Sequence, residues 1–385
     1  MTSDAAEAAV LRAPRTLERS RFALPAVRAD DGLLRIEACG LCGTDHEQFT
    51  GTLSPGFAFI PGHEIVGVVE AAGPIALERW GVEIGDRVAV EVFMSCRECA
   101  SCATGSYRRC RRHGLRDMYG FIDVNHPPSL WGGYSTHLYL APDAMLVPVP
   151  AGLDPVLATA FNPVGAGLRW AVELPGTGPG DVVVVLGPGI RGLAACAAAK
   201  HAGARFVMVT GVGPDDLDRL DAATAFGADL TVDITRDDPI RALRAATGDL
   251  ADVVVDVTAK AATAPGQALR LVRSGGTVVL AGTRGDPTAP GFDPDLIVTK
   301  EVRVLGALGV DANAYRAALD MLMTDEYPFA ELARRIVAFD ELPELLGRMA
   351  GDVPGDRPIH AVFTPDATRV PSMPGRGADL TRRES

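Results

Sequence analysis

The chain has 385 residues, so two or three domains of about 150 residues each are expected. A hydrophobic fraction of 47% and a charged fraction of 22% are those of a globular protein and exclude general disorder. The net charge of −12 disfavours nucleic-acid binding, which needs a basic excess. Because the sequence contains neither an apolar run of about 18 residues nor an export signal at its start, we predict a cytoplasmic protein without membrane attachment.

The first 160 or so residues are rich in short β-like segments separated by glycine and proline. These segments begin at Gly32, Ile65, Gly85 and Gly132. Short strands with frequent turn residues predict a β-barrel or a β-sandwich. From about Val164 the pattern changes to continuous apolar strands, such as VVVVL and FVMVTG, that alternate with helical segments. This alternation predicts an α/β fold with a doubly wound parallel sheet.

Residues 187–192, which we call the glycine turn, read GPGIRG and match G-x-G-x-x-G. The turn directly follows VVVVL and opens an alanine-rich helix, which is the context of a dinucleotide-binding turn. Gly187 would make the tight turn, Gly189 would let a pyrophosphate approach the backbone, and Gly192 would allow close helix–strand packing. The helix N-terminus, from Ile190, supplies partial positive charge. We predict dinucleotide binding here, the alternative being a purely structural turn.

The choice of dinucleotide depends on the end of the next strand, about twenty residues further on. There Gly211 stands where an acidic residue usually holds the ribose 2′-hydroxyl, and its small size leaves room for a 2′-phosphate. The following loop offers three acids before one arginine, namely Asp215, Asp216, Asp218 and Arg219. Carboxylates repel a 2′-phosphate, so we predict NAD rather than NADP. The alternative is that these acids only interact with the positive end of a helix dipole and do not face the cofactor. Gly282 and Thr283, at the end of a later strand, complete the predicted cofactor contacts.

Four of the seven cysteines fall within fifteen residues, at Cys96, Cys99, Cys102 and Cys110. Without an export signal, clustered cysteines indicate a metal site more than disulfides. Four thiolates close a tetrahedron around Zn²⁺ and leave no open position, so this site, the cysteine loop, would be structural. An iron–sulfur cluster would also accept four cysteines. We predict Cys39 and Cys196 to be small core residues.

A second group consists of Cys42 in GLCGTDHE and of His63 and Glu64 in PGHEIVG. A thiolate, an imidazole and a carboxylate are the ligand types of a catalytic zinc that keeps one position open. A lone cysteine and a lone histidine are more often core residues. The neighbouring Thr44 and Asp45, the cysteine loop and the glycine turn favour the zinc interpretation.

In this order, the motifs resemble those of the zinc-containing medium-chain alcohol dehydrogenases. GHE at 62–64 with Gly67 and Gly73, GDRVAV, the cysteine loop and the glycine turn carry the resemblance, which spans Ala8 to Pro365. It implies a GroES-like catalytic domain at residues 1–163 and a Rossmann domain at 164–310. Residues 311–385 would return to the catalytic domain, with a frayed tail from about residue 366.

The resemblance also implies a role for each residue of the second group. Cys42 and His63 would bind the zinc, and Glu64 would be a ligand that comes and goes. Thr44 would hydrogen-bond the substrate alcohol, and Asp45 would orient the imidazole of His63. The implied reaction is hydride transfer between an alcohol or carbonyl substrate and NAD(P), with two zincs per chain.

The chain departs from the family at two positions. The family's remaining zinc ligand aligns with Asn162, whose neutral carbonyl is a poor ligand. Either Glu64 completes the site, or the zinc is weak or absent. A proton-relay histidine of the family is replaced by Glu47, with His46 before it, and either side chain could relay a proton.

Two other functions remain open at this stage, a dinucleotide-binding protein with structural zinc and little turnover, and a zinc-independent reductase on the same fold. The segment VRVLGALG would be the edge strand that pairs two copies. Since an apolar edge strand needs covering, we expect a homodimer or a homotetramer.

Overall fold

The computed structural model describes residues 5–259, 261–284, 288–332, 334–355 and 357–366. The strands are β1 Ala5–Ala13, β2 Thr16–Ala23, β3 Gly32–Leu41, β4 Glu64–Ala72, β5 Arg87–Val90, β6 His137–Leu140, β7 Leu146–Pro148, β8 Val182–Leu186, β9 Phe206–Gly211, β10 Leu230–Asp233, β11 Ala251–Asp256, β12 Val272–Leu280, β13 Arg303–Gly306, β14 Arg334–Val337 and β15 His360–Phe363. The α-helices are α1 Gly43–Thr50, α2 Pro74–Trp80, α3 Ala100–Ala103, α4 Pro155–Ala158, α5 Phe161–Leu168, α6 Ile190–His201, α7 Leu217–Ala225, α8 Pro239–Thr247, α9 Ala264–Leu271, α10 Asp295–Thr299, α11 Ala312–Leu322 and α12 Leu342–Ala350. Apart from Asp366, the predicted frayed tail lies outside the described residues.

The second half of the chain forms a parallel sheet with the strand order β10-β9-β8-β11-β12-β13. Alternate residues of β8 face two different cores. Val183 and Val185 belong to a core that contains buried residues of α6, whereas Val182 and Val184 belong to a core that contains buried residues of α8 and α9. A strand buried on both faces must be apolar throughout, as VVVVL is. The predicted doubly wound sheet is therefore confirmed.

The chain direction reverses at β8, which places the glycine turn at a topological switch point. From β8 the chain proceeds outward through β9 and β10, and it then returns to β11 on the other side of β8. In open α/β sheets, the crevice at such a point, outside the carboxyl ends of the strands, is where ligands bind. The glycine turn directly follows β8 and thus lies at this crevice.

The other large sheet is mixed and joins strands from both ends of the chain. Its order is β14-β15-β3-β4-β5-β7, and β6 pairs with β3. Strand β15 pairs antiparallel with β3, at the end of β3 that precedes Cys42. The C-terminal strands therefore support the segment that carries the candidate zinc ligands. The residue bounds of the domains stay a prediction.

Helix α5 connects the two sheets and packs closely against α6. A Cβ on Gly167 would lie 2.5 Å from the backbone of Ala194, so a larger residue would force the helices apart. A Cβ on Gly165 would lie 2.8 Å from the ring of Tyr315 on α11. These two glycines bring Asn162, which lies near the start of α5, close to the glycine turn. No helix in the described part of the chain is long and apolar enough to cross a membrane.

We expect the stability of the protein to fall below pH 6.5 because of His360 in β15. This side chain is 1% exposed, and its Nδ1 accepts a hydrogen bond of 3.1 Å from Arg334 Nε. Burial, and secondarily the Arg334 charge, lowers the pKa of His360 to about 3. Since the unfolded chain binds this proton near pH 6.5 and the folded chain does not, stability is lost as the pH falls through this interval.

The replacement His360→Asn keeps an acceptor in place of Nδ1 and removes the proton site. Between pH 7 and pH 5, the free energy of unfolding should fall by about 2 kcal/mol less in the variant than in the wild type. Urea unfolding at the two pH values measures this difference. The exposed His201, paired with Glu326, supplies the matched control His201→Asn. Equal losses in wild type and His360→Asn would refute the assignment.

Candidate active site

The Cys42 thiol is held at the junction of β3 and α1. Cys42 precedes the first residue of α1, and its backbone N–H donates a 2.8 Å hydrogen bond to Asp45 Oδ2. This capping interaction orients the junction. The Cys42 Sγ lies 3.2 Å from His63 Nε2, which comes from the segment directly before β4.

Glu64, the first residue of β4, lies opposite Gly40 of β3. A Cβ on residue 40 would lie 2.3 Å from Glu64 Oε2, so only glycine admits the carboxylate there. Cys42, His63 and Glu64, which we call the candidate metal site, are each 5% exposed or less. In the described part of the chain, Glu64 Oε1 is buried without a hydrogen-bond partner.

The sulfur and nitrogen donors of Cys42 and His63 fit a zinc ion. Zinc bonds of about 2.3 Å to sulfur and 2.0–2.1 Å to nitrogen, in a tetrahedron, separate S and N by about 3.6 Å. The observed 3.2 Å is close to that separation. Donor atoms of Cys42, His63 and Asp45 lie within 4.8 Å of one another.

The buried environment favours the neutral forms of these three side chains. Burial raises the pKa of the Cys42 thiol well above its usual value and that of Glu64 to about 8. Burial also lowers the pKa of His63. A divalent cation among these donors would favour the thiolate and the carboxylate, because the ion is the largest local charge.

The predicted orienting role of Asp45 is not visible as a hydrogen bond. Asp45 Oδ1 lies 3.9 Å from His63 Nδ1, which exceeds hydrogen-bond distance. The other carboxylate oxygen caps α1, so Asp45 supports the cysteine directly and the histidine only by proximity.

Of the remaining predicted residues of α1, Thr44 contacts the thiol. Burial dominates the raised pKa of Cys42, but a hydrogen bond from the Thr44 side chain lowers it in part. Thr44 therefore lies beside the sulfur, as its predicted contact with a substrate hydroxyl requires. His46 and Glu47 follow on the same helix and are half-buried. Their relay role stays a prediction.

Asn162 lies beside the candidate metal site but directs its polar atoms elsewhere. Its Nδ2 donates a 2.8 Å hydrogen bond to Tyr315 Oη on α11. Its Oδ1 lies 3.5 Å from Arg191 Nη2. The carbonyl oxygen that would bind zinc thus faces a guanidinium. Neither the Tyr315 contact nor the Arg191 contact was expected from the sequence.

Arg191, the second residue of α6, extends from the glycine turn into the candidate metal site. Its Nη2 lies 3.8 Å from Glu64 Oε1, and its guanidinium lies 5.5 Å from the centre of the Trp170 ring. The sequence does contain one signal for this residue. An arginine interrupts an otherwise apolar strand–turn–helix segment, at a variable position of the glycine motif.

The four sulfurs of the cysteine loop lie within 4.8 Å of one another. The Sγ atoms of Cys96 and Cys102 are 3.8 Å apart, and Cys99 N donates to Cys96 Sγ at 3.4 Å. Burial opposes ionisation of Cys110, yet backbone N–H groups lower its pKa to about 6. The arrangement fits a closed tetrahedral zinc site.

The glycine turn has the geometry that its pattern predicts. Gly187 has φ of +103°, a left-handed conformation that favours glycine. A Cβ on Gly192 would lie 1.8 Å from Gly187 O, so this position packs too closely for a side chain. Beside Gly189, by contrast, no more distant residue among those the structure describes lies within 4 Å of an added Cβ, which leaves space for a phosphate.

The other predicted cofactor residues lie at the carboxyl ends of neighbouring strands. Gly211 ends β9, and Gly282 and Thr283 follow β12. A Cβ on Gly282 would lie 1.8 Å from Thr258 O, so the chain passes close to the end of β11 there. These positions share the crevice of the glycine turn.

A parallel dinucleotide-binding sheet, a cysteine loop and a buried Cys-His-Glu group together define a zinc-type dehydrogenase. The model of the alcohol dehydrogenase GroES-like domain matches residues 28–151, and that of the zinc-binding dehydrogenases matches residues 192–324. The chain belongs to the zinc-type alcohol dehydrogenases of the medium-chain dehydrogenase/reductase superfamily. It is therefore an oxidoreductase that acts on CH–OH groups.

Two relatives illustrate the range of the family. A probable alcohol dehydrogenase of Mycobacterium tuberculosis is 63% identical over 93% of this chain and 98% of its own length. An erythritol/L-threitol dehydrogenase of Mycolicibacterium smegmatis is 31% identical over 85% of this chain and 89% of its own.

Solved structures show the same fold. A Sinorhizobium meliloti protein, assigned to the zinc-binding dehydrogenases and crystallised with NADP, is 26% identical and has a TM-score of 0.79. The match covers 94% of this chain and 99% of that one. An alcohol dehydrogenase of Thermotoga maritima has a TM-score of 0.80 at 23% identity, covering 94% of this chain and 100% of that one.

Proposed function

We propose that the protein is a zinc-dependent, NAD-linked alcohol dehydrogenase with two zincs per chain. The observation that carries the proposal is the 3.2 Å approach of Cys42 Sγ to His63 Nε2, buried beside the glycine turn. Thiolate and imidazole on one ion, with a carboxylate at hand, leave a position for a substrate oxygen. The cysteine loop would hold the second, structural zinc.

Glu64 rather than Asn162 is proposed to complete the catalytic zinc site. The Asn162 amide is engaged by Tyr315 on one side and Arg191 on the other. Glu64 Oε1, in contrast, has no hydrogen-bond partner within the described ranges, and its nearest charged partner is 3.8 Å away. The charged form of a buried carboxylate whose nearest cationic group is 3.8 Å away is costly, and a metal ion would stabilise it.

A zinc held by Cys42, His63 and Glu64 would lower the pKa of a substrate hydroxyl, and a dinucleotide at the glycine turn would supply the acceptor for hydride from the carbinol carbon. Thr44 accepts the hydroxyl proton in this scheme and passes it toward His46 or Glu47. Phe121 packs at a ring distance of 5.8 Å from His63 and keeps water from this side of the imidazole. The buried walls of the site strengthen each charge interaction within it.

The preference for NAD is supported by two carboxylates near Gly211. Asp216 Oδ2 accepts a 2.9 Å hydrogen bond from Val212 N and lies against Gly211, while Asp215 and Asp218 are exposed. Asp216 also pairs with Arg219 at 3.4 Å, which partly neutralises the arginine that a 2′-phosphate would need. Asp233, in register with Gly211 on β10, adds a further negative charge at this end of the sheet.

An oligomer is proposed from the edge of the parallel sheet. Strand β13 is the outer strand, and nearby Val298 and Leu308 are 75% and 48% exposed. Pairing of β13 with a second copy would cover this edge in a homodimer or homotetramer.

We expect the purified protein to contain about two zincs per chain and to reduce NAD in the presence of an alcohol. Elemental analysis gives the zinc content, and ultraviolet absorbance of reduced nicotinamide gives turnover. Because the relatives include an erythritol/L-threitol dehydrogenase, the panel should contain polyols as well as aliphatic alcohols. Catalytic efficiency should be higher with NAD than with NADP, and the reverse order would refute the NAD preference.

One zinc per chain, with dinucleotide binding but no turnover on any alcohol or carbonyl of the panel, would refute the proposal. That result would favour a dinucleotide-binding protein with structural zinc only. Turnover that persists with one zinc would favour a zinc-independent reductase.

A further inference from the structure

The guanidinium of Arg191 lies in the active site without a strong partner. Its polar contacts are Glu64 Oε1 at 3.8 Å and Asn162 Oδ1 at 3.5 Å, both through the same Nη2 atom, and one face of the guanidinium lies 5.5 Å from the Trp170 ring centre. Its Nε is buried and has no hydrogen-bond partner in the part of the chain that the structure describes. With 28% of its side-chain surface exposed, Arg191 keeps donor groups open to an incoming ligand.

A close bidentate ion pair elsewhere in the protein has a different geometry. Arg15 binds Asp352 in a bidentate manner, with N–O distances of 2.7 and 3.1 Å. Arg191 makes no such pair, although Glu64 is its neighbour. If Arg191 served only to neutralise Glu64, a close bidentate contact would be expected. Loose pairing alone does not distinguish Arg191, since Arg169 Nε lies 3.7 Å from Asp311 Oδ2 in a similar manner. The position of Arg191 in the active site is what points to a group that arrives with the reaction partners.

The backbone position of Arg191 limits what that group can be. Arg191 belongs to the first turn of α6, whose N-terminus follows Gly189 and is the proposed pyrophosphate site. Hydride transfer requires the nicotinamide to reach from this turn to the candidate metal site. The Arg191 side chain spans the same interval, because its backbone lies at one end and its Nη2 approaches Glu64 at the other.

We propose that Arg191 is a positioning residue that contacts the nicotinamide end of the cofactor and favours its reduced form. This inference rests on the proposed function. The oxidised ring carries a positive charge, which a nearby guanidinium repels. The reduced ring is neutral and electron-rich, and a planar guanidinium stacks well on such a face.

The consequence concerns the direction of hydride transfer. In alcohol oxidation the carbinol C–H pair moves as hydride to the nicotinamide, the alcohol becomes a carbonyl, and the hydroxyl proton leaves through Thr44. Arg191 neither gains nor loses a proton or an electron in this reaction. By stabilising the reduced ring relative to the oxidised one, it makes the bound oxidised cofactor a stronger hydride acceptor and slows release of the reduced product.

The test is the ratio of the dissociation constants for NAD and NADH, measured without substrate. NADH binding is followed by its fluorescence, and NAD binding by competition with NADH. In Arg191→Gln the ratio Kd(NAD)/Kd(NADH) should fall at least about tenfold, since at an effective dielectric constant near 20 a unit charge even about 12 Å away changes an affinity by this factor and a closer one changes it more. Arg191→Lys keeps the charge and should preserve most of the ratio.

Arg219 supplies the matched control, since it is charged and lies near the proposed adenosine end. Arg219→Gln should change both constants by the same factor and leave the ratio unchanged. Arg191→Met provides a second neutral variant should Arg191→Gln not fold, as judged by circular dichroism. A wild-type ratio in both neutral variants would overturn the inference while leaving the proposed function intact.

Failure of the wild type to bind either form of NAD, or of NADP, would overturn the proposed function, and the inference would fall with it. If only the NADP pair binds, the same ratio is measured with that pair.

Discussion

Replacement of Cys42 by alanine is expected to lower the zinc content from two to one per chain and to reduce kcat/KM at least about 10³-fold. The removed sulfur lies 3.2 Å from His63 Nε2 and would be the one thiolate of the candidate metal site. Lewis-acid stabilisation of several kcal/mol is lost with the ion, and each 1.36 kcal/mol is a factor of about ten in rate. Elemental analysis and steady-state kinetics measure the two effects.

Cys39→Ala is the control for this experiment. Cys39 is equally buried, lies three residues earlier on β3, and its Sγ lies 3.6 Å from the carbonyl oxygen of Gly40. The control should retain both zincs and most of the turnover. Two zincs per chain in Cys42→Ala, or one in Cys39→Ala, would show that the ligand assignment is incorrect.

The same zinc measurement separates the two candidates for the last ligand. We expect Glu64→Gln to lose the catalytic zinc upon mild chelation, and Asn162→Ala to retain it under the same conditions. The reason is that Asn162 Oδ1 faces Arg191 whereas Glu64 Oε1 lacks a partner among the described residues. The opposite order would assign the ligand to Asn162.

The second large effect is expected from the cysteine loop. Cys110→Ser should remove the structural zinc and destabilise the protein by at least ~3 kcal/mol, because metal binding free energy contributes to folding. For a chain of 385 residues, Tm should fall by at least about 4 °C. Zinc analysis and thermal unfolding followed by circular dichroism test this.

Loss of the structural zinc should also lower the activity of the enzyme. Tyr107 Oη donates to Glu91 Oε2 at 2.6 Å and accepts from Ala312 N at 2.6 Å, so the loop holds the start of α11. Helix α11 carries Tyr315, which binds Asn162. We therefore expect kcat of Cys110→Ser to fall even where the protein remains folded. Cys196→Ala, a buried cysteine of α6, should keep two zincs and near-normal kcat. An unchanged zinc content in Cys110→Ser would contradict a four-thiolate site.

The sequence was sufficient for features whose physical cause is local. The glycine turn needs φ of +103° at Gly187 and no side chain at Gly192, and glycine at both positions of one six-residue segment meets these requirements. The cysteine loop closes within fifteen residues, so its spacing alone brings four sulfurs together. The apolar runs such as VVVVL predicted a doubly wound sheet, since a strand covered on both faces can contain no polar alternation.

The position of the C-terminal segment and the environment of Asn162 could not be read from local patterns. The return of residues 311–385 to the catalytic domain was implied only by resemblance. The pairing of β15 with β3, between residues 39–41 and 361–363, was not predicted because it depends on the whole fold. The contact between Asn162 and Tyr315 joins residues 153 apart in sequence. It exists because glycines 165 and 167 let α5 approach both α6 and α11.

In the acidic loop after Gly211, too, the sequence shows which residues are present and the folded structure decides which of them lie close together. Three aspartates were visible in the sequence, but only the turn geometry places Asp216 against Gly211 and leaves Asp215 exposed. Arg191 is the clearest case. Its presence in the glycine turn was visible from the start, but its approach to Glu64 depends on the packing of two sheets. Backbone conformation and ligand spacing are local quantities, whereas the partner of a long side chain is set by elements that meet only when the chain has folded.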